Sequence, residues 1–360
     1  MTEKDFVPAG YRATIETGSF TWRSPSNIAL VKYWGKRGEQ LPANPSLSFT
    51  LDTCATTTTL HFEKREQPVS GFGFDLLFEG KAREDFKPKI NSFFGRIESY
   101  MPFLRHYHFT IETSNSFPHS SGIASSASGM SALALCLMSM EKEMSPGMPE
   151  EHFYRKASFL ARLGSGSACR SIEGGLVVWG RHPGIMGSTD LYGVSYPGEV
   201  HPVFQTYQDT ILLVDRGEKQ VSSTAGHGLM HGHPFAERRF VQAGENLSAL
   251  QQVLKAGDMA RFTEIVESEA LTLHAMMMTG KPYFMLMSPA TLQVIRKIWD
   301  FRKRSGSNVC FTLDAGANVH VLYPEEEKKA VMEFINNELV AYCEKGYYIC
   351  DRIGEGAVSL

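Results

Sequence analysis

The chain has 360 residues, enough for about two domains. Apolar residues make up 42% and charged residues 21%, which excludes collagen-like, disordered and coiled-coil classes. With 36 basic against 39 acidic residues the net charge is −3, so no global field points to nucleic acid or an anionic membrane.

Residues 1–20 are polar and lack the apolar core of a secretory signal. The longest nearly apolar run, 130–140, is too short to span a bilayer. Cys54, Cys136, Cys169, Cys310, Cys343 and Cys350 form no C-x-x-C pair, which reads as free thiols of a reducing compartment. The expectation is a cytoplasmic protein.

In chain order, Ser24-Pro-Ser-Asn-Ile-Ala-Leu-Val-Lys-Tyr-Trp-Gly-Lys-Arg37 comes first. Ile28, Leu30 and Val31 suggest a strand that Lys32 follows. That lysine is either a solvated end or, with Lys36, Arg37 and Tyr33, part of a face toward a polyanion. Leu47, Phe49 and Leu51 alternate with polar residues, and the threonines 56–59 continue the β pattern through Phe62. Tyr107, Phe109 and Ile111 predict another half-buried strand.

Next comes Ser114-Asn-Ser-Phe-Pro-His-Ser-Ser-Gly-Ile-Ala-Ser-Ser-Ala-Ser-Gly129, opening a helix over 130–140. A strand feeding a small-residue turn into a helix is suited to an anion, because free N–H groups and the positive dipole end face it. The alternative is a plain serine-capped turn. The spacing is neither a Walker A loop nor G-x-G-x-x-G.

A helix is predicted over 150–163, stopped by Gly164-Ser-Gly-Ser-Ala-Cys-Arg170. This is either a simple glycine stop or two hydroxyls and a guanidinium gathered for a carboxylate or phosphate. Residues 176–179 read as a strand, and the Gly- and Pro-rich 180–207 as an inter-domain connection.

A strand over 210–214 is followed by three helices. They run over 234–255, from an N-cap at Asp258, and from Ser288-Pro289 to Gly306. Strands 309–313 and 319–323 are joined by Asp314-Ala-Gly-Ala-Asn318. One last helix is predicted over 324–346. Asp314 by itself is most simply a turn residue bonding its own backbone. His227, His231 and His233 have metal-like spacing but no nearby carboxylate or cysteine, and read as loop histidines. Met276 to Met278 read as core filler. Strands mixed with blocks of helices indicate α+β.

Four blocks then stand in order: Asn27-Ile-Ala with Lys32-Tyr-Trp-Gly-Lys-Arg37; Phe117-Pro118 with Gly122-Ile-Ala-Ser-Ser-Ala-Ser-Gly129; Gly164-Ser-Gly-Ser-Ala-Cys-Arg-Ser171; and Thr312-Leu-Asp-Ala-Gly316. Together they resemble the diphosphomevalonate decarboxylase family of the GHMP kinase superfamily. The resemblance implies an α+β, two-domain GHMP kinase fold, with a ribosomal protein S5 domain 2-like unit over 1–207 and a ferredoxin-like unit over 208–360. It also implies a left-handed β-α-β crossover.

The activity implied is decarboxylation of mevalonate 5-diphosphate with ATP and Mg²⁺, in a homodimer. By matching positions, Asp314 would act on the C3 hydroxyl, Lys32 would sit beside it, and Arg170 would hold the carboxylate. Asn27, Tyr33, Lys36, Ser165, Ser167, Ser223 and Thr224 would bind substrate. Asn115, Gly122, Ala124, Ser125, Ser126 and Ser128 would bind ATP, with Ser125 or Ser126 nearest the metal.

The chain departs from the family pattern in three places. Gly226-His227 replaces the usual Gly-Met, with a changed segment to Pro234. Ala317 stands in place of Pro. His119-Ser-Ser-Gly stands in place of Thr-Ala-Ala-Gly. The alternatives are a mevalonate 5-phosphate decarboxylase, a kinase that does not decarboxylate, and a ligand sensor without turnover.

Overall fold

The computed structural model describes residues 1–67, 70–118, 123–215 and 223–360, the side chains of Ser223 and Thr224 excepted. Among the described residues the helical and strand periodicities resolve into two main sheets with helices packed on them and a two-stranded ribbon of Lys36–Arg37 with Leu41–Pro42, the α+β class the pattern predicts.

The first sheet is built on two long antiparallel strands, Thr17–Val31 and Ser46–Lys64, paired from Thr17↔Glu63 to Val31↔Leu47. Tyr107–Asn115 continues it antiparallel, and Gly73–Phe78 lies parallel to that strand, the helix Lys87–Ile97 lying between them in sequence. Leu176–Trp179 pairs with the start of Ser46–Lys64. Within 180–207, Val194–Ser195 extends this edge.

Alternation puts Leu60, Phe62, Phe109 and Ile111 on one face, against the helix Ser125–Met144. That helix is covered on nearly all sides. Ala127, Ala132 and Ala134 let it approach its neighbours closely, and each buried leucine contributes roughly 1.5–3 kcal/mol. It begins at Ser125, so the serines expected in the loop form its first turn.

The second sheet has the order Cys310–Thr312, Val319–Tyr323, Gln208–Leu212, Tyr348–Arg352, all antiparallel. With helices between its first and second strands and again between its third and fourth, this is the split β-α-β order of a ferredoxin-like unit. Of the three helices, the second and third start at the caps predicted for them. Asp258 accepts the Arg261 N–H at 3.0 Å, Ser288 and Thr291 form a capping box, and Gly257 and Gly306 end their helices at φ 74° and 71°.

The single helix expected over 324–346 is corrected. It is a succession: a 3₁₀ turn, an α-helix Lys328–Phe334, a π turn Ile335–Leu339 and further 3₁₀ turns. In the π turn Leu339 is buried, while Glu338 meets Lys297 at 3.3 Å and Arg304 at 2.9 Å.

The two sheets share apolar packing. Ile28, Leu47 and Phe49 from the first join Leu247, Leu250 and Phe262 from the helices of the second in one cluster. Asp351 adds a polar tie, accepting the N–H groups of Asp52 (2.9 Å), Thr53 (2.9 Å) and Cys54 (2.7 Å). The chain end then returns to the first sheet, where Val358 pairs with Arg23. The cysteines carry free thiols, and all but Cys350 are buried.

Candidate active site

A cleft of ≈ 1230 Å³ opens between these layers. Its walls come from the end of the first strand, the start of helix Ser125–Met144, the Gly166–Ser171 turn, and the 313–318 loop of the second sheet.

Lys32 directly follows the strand that ends at Val31, and its backbone is held at both ends. Glu269 accepts its N–H at 2.8 Å, while its carbonyl accepts from Asn44 (2.9 Å) and Arg239 (3.2 Å). Arg239 and Glu269 are themselves a buried bidentate pair at 2.5 and 3.0 Å, with Asn246 donating to Glu269 at 2.6 Å. The Lys32 ammonium reaches Asp314 Oδ1 at 3.2 Å. Burial lowers the Lys32 pKa, and the Asp314 charge acts against that.

Asp314 is held by its backbone. His274 Nε2 donates to the Asp314 carbonyl at 3.1 Å, which fixes the proton on Nε2. Burial pushes the His274 pKa down to about 4, so the ring is a neutral donor.

Arg170 arrives from the turn after helix Glu150–Gly164 and is buried. Its Nη1 donates to Ser46 Oγ at 2.5 Å, and its Nε is enclosed with no partner among the described residues. Burial lowers its pKa, while Cys169 and Asp314 oppose the shift. The Tyr33 hydroxyl is likewise buried without a partner, and burial raises its pKa. It sits so close to the turn that a Cβ on Gly166 would lie 2.7 Å from it. Lys36, beside Arg96, has its pKa pushed down to about 8, by burial first and by Arg96 second. Ser165 and Ser167 line the same wall.

At the other end, Ser125 and Ser126 stand in the first turn of a 20-residue helix, where the positive end of the helix dipole favours an anion. Ala124 precedes them in a left-handed conformation at φ 45°. Lys89 donates to Ser126 Oγ. Asn115 lines the cleft with Nδ2 buried and without a partner among the described residues, its Oδ1 taken by Thr56 at 2.7 Å.

Two residues expected at ligands stand one layer back. Ser128 bonds Thr56 at 2.6 Å, and Asn27 donates to the Ser167 carbonyl (3.2 Å) and Ser171 Oγ (2.8 Å); neither lines the cleft. Gly122 and the side chains of Ser223 and Thr224 lie outside the described residues. The three histidines separate. His227 lines the cleft, His233 bonds the Met276 carbonyl at 3.1 Å, and His231 is exposed. Among the described residues no three His, Cys, Asp or Glu side chains gather for a metal.

Sequence reasoning missed Ser46, Arg239, Glu269 and His274. All four lie outside the motif blocks, and charged residues in amphipathic helices look solvated until the opposing layer is known.

Comparison with known proteins gives a consistent result. Residues 24–189 match the diphosphomevalonate decarboxylase-like N-terminal domain, and residues 210–352 the mevalonate 5-diphosphate decarboxylase C-terminal domain. The chain is 30% identical to the diphosphomevalonate decarboxylase of Aspergillus fumigatus over 329 residues, 86% of this chain and 78% of that one. Among solved structures it is similar to the mevalonate diphosphate decarboxylase of Enterococcus faecalis (TM-score 0.80, 28% identity, covering 96% of this chain and 99% of that one). It is also similar to MDDEF solved in complex with MVAPP, AMPPCP and magnesium (TM-score 0.81, 29% identity, covering 96% and 99%).

Proposed function

The chain belongs to the diphosphomevalonate decarboxylase family, and we propose that its cleft works through Asp314, Lys32 and Arg170. The reaction is ATP-dependent decarboxylation of mevalonate 5-diphosphate to isopentenyl diphosphate, CO₂, ADP and phosphate, a carboxy-lyase step of isoprenoid biosynthesis. A tertiary hydroxyl leaves poorly, and phosphorylation turns it into a good leaving group. As the C3–O bond breaks with its electron pair, positive charge builds at C3. The pair of the carbon–carboxylate bond then forms the new double bond and CO₂ departs.

Within this reading Asp314 orients and takes the C3 hydroxyl proton. Lys32 lies beside that carboxylate and faces the reacting oxygen. Arg170 holds the substrate carboxylate with its unspent fork. Tyr33, Lys36, Ser165 and Ser167 take the diphosphate. Asn115, Ser125 and Ser126, with the N–H groups of the helix start, take the ATP phosphates. Asn27 and Ser128 hold these walls from behind, and Ala124 shapes the helix entry. Gly122, Ser223 and Thr224 enter on sequence alone.

The hydroxyl of Ser125 or Ser126, together with phosphate oxygens, suits Mg²⁺, which when bound draws charge off the phosphoryl group. No helix among the described residues is long and apolar enough to cross a membrane. The division of the chain near residue 207, a homodimeric state and a cytoplasmic location belong to the same proposal, supported by the family resemblance.

The observation that carries the reading is the 3.2 Å approach of Lys32 to Asp314 in a cleft that also holds Arg170. The test supplies ATP, Mg²⁺ and either mevalonate 5-diphosphate or mevalonate 5-phosphate, and measures CO₂ and ADP. Equal CO₂ and ADP with the diphosphate is expected. ADP without CO₂ identifies a kinase, and higher kcat/KM with the monophosphate reassigns the substrate.

A further inference from the structure

His227 is the residue at which the sequence leaves the Gly-Met pattern, and it sits deep in the cleft wall rather than in an outer loop. Its ring is held from three directions. It lies 4.2 Å from the Tyr33 ring and 4.8 Å from the Trp34 ring, centroid to centroid. Its Nδ1 accepts the Gly35 N–H at 3.0 Å. The preceding Gly226 packs directly on Trp34, where a Cβ would come within 2.5 Å of the indole. Few rotations remain to such a ring.

A backbone N–H can only donate, so Nδ1 is the unprotonated nitrogen and the neutral ring carries its proton on Nε2. Burial, with Lys36 and Arg170 nearby, holds the pKa well below the usual imidazole value, so the ring stays neutral. Among the described residues nothing accepts from Nε2. The charges acting on the ring are the cations Lys36 and Arg170, and the Tyr33 hydroxyl beside it has no partner among the described residues. A donor beside two cations, in a wall open to the cleft, is complementary to an oxyanion.

We propose that His227 is a substrate-recognition residue whose Nε2–H donates to a phosphoryl oxygen of the substrate's anionic tail, beside Tyr33 and Lys36. It adds a fixed imidazole donor to a wall of hydroxyls and the Lys36 ammonium. The inference rests on the substrate reading above and deepens it.

Two variants separate recognition from packing. His227→Asn keeps an acceptor near Nδ1 for Gly35 but has no donor at the reach of Nε2. His227→Gln places an amide donor at that reach. Calorimetric binding of mevalonate 5-diphosphate to the full chain reads the contact without turnover, so its outcome is independent of whether CO₂ is released. The expected result is affinity weakened about 10-fold or more by His227→Asn, the size of a lost hydrogen bond to a charged group. His227→Gln should recover most of it, and ATP affinity should be unaltered in both. Unchanged affinity in His227→Asn overturns the proposal. Equal losses in the two variants also overturn it, because they make the ring a packing element.

Discussion

Lys32 Nζ and Asp314 Oδ1, separated by 282 residues in sequence, lie 3.2 Å apart, the lysine enclosed and the aspartate 30% exposed. The pair is therefore asymmetric. The lysine carries the burial, and the carboxylate faces the cleft.

That asymmetry sets the first prediction. Asp314→Asn removes the proposed base and should lower kcat by about 10²–10⁴-fold with ATP affinity nearly intact, since the loss falls on the transition state. Lys32→Met should also lower kcat, by about 10²-fold or more. It should leave the melting temperature equal or higher, because it deletes a buried charge whose partner water can reach. Turnover and thermal melting of both variants check this. Wild-type kcat in Asp314→Asn contradicts the role.

Glu269 and Arg239 predict a different pattern. They enclose a full ion pair and hold the Lys32 N–H and carbonyl. Glu269→Gln leaves the Arg239 guanidinium buried without its counter-charge, at a cost of roughly 3–5 kcal/mol. Chemical denaturation should register that loss, and kcat should fall with it as Lys32 loses its seat. A stable Glu269→Gln protein with normal kcat removes the pair from the positioning of Lys32.

Arg170 tests geometry against charge. A lysine there keeps the positive charge but not the planar fork, nor both the Ser46 contact and a free edge for the carboxylate. Arg170→Lys should abolish nearly all CO₂ release. Ser46→Ala, which frees Nη1, should raise the substrate KM several-fold with a smaller effect on kcat. Near wild-type decarboxylation by Arg170→Lys counts against the clamp.

Lys36 predicts a pH dependence. Burial and Arg96 push its pKa down to about 8, so the ammonium is present below that pH and lost above it. An oxyanion needs the charged form, and kcat/KM follows the free enzyme. It should therefore fall as pH rises through about 8. Lys36→Arg remains charged throughout and should flatten that limb. A profile in which the two proteins decline together assigns the limb to another group.

Local patterns carried much of the fold. The Asp258 and Ser288-Pro289 starts, the glycine stop at 306, and the strand Leu176–Trp179 are all short-range chemistry. The strand Thr17–Val31 was legible only from Ile28 onward. Its earlier part contains Gly18, Ser24, Pro25 and Ser26, poor strand formers. It is a strand because Ser46–Lys64 pairs with it, and buried Ser24 and Ser26 bond Ser171 and Ile123. The broken segment after Pro324 read as one helix because its charges suited one.

The sequence by itself determined the chemical inventory: an aspartate in a turn, a lysine at a strand end, an arginine after a glycine turn, serines opening a helix. Only the tertiary structure decided that these meet. Sheet register and the shared apolar packing of Ile28, Leu47 and Phe49 with Leu247 and Leu250 bring the two halves into contact. Enclosure then shifts Lys32, Lys36 and His227 from their ordinary ionisation. Burial and long-range contact belong to the packed chain, so no local stretch of residues encodes them.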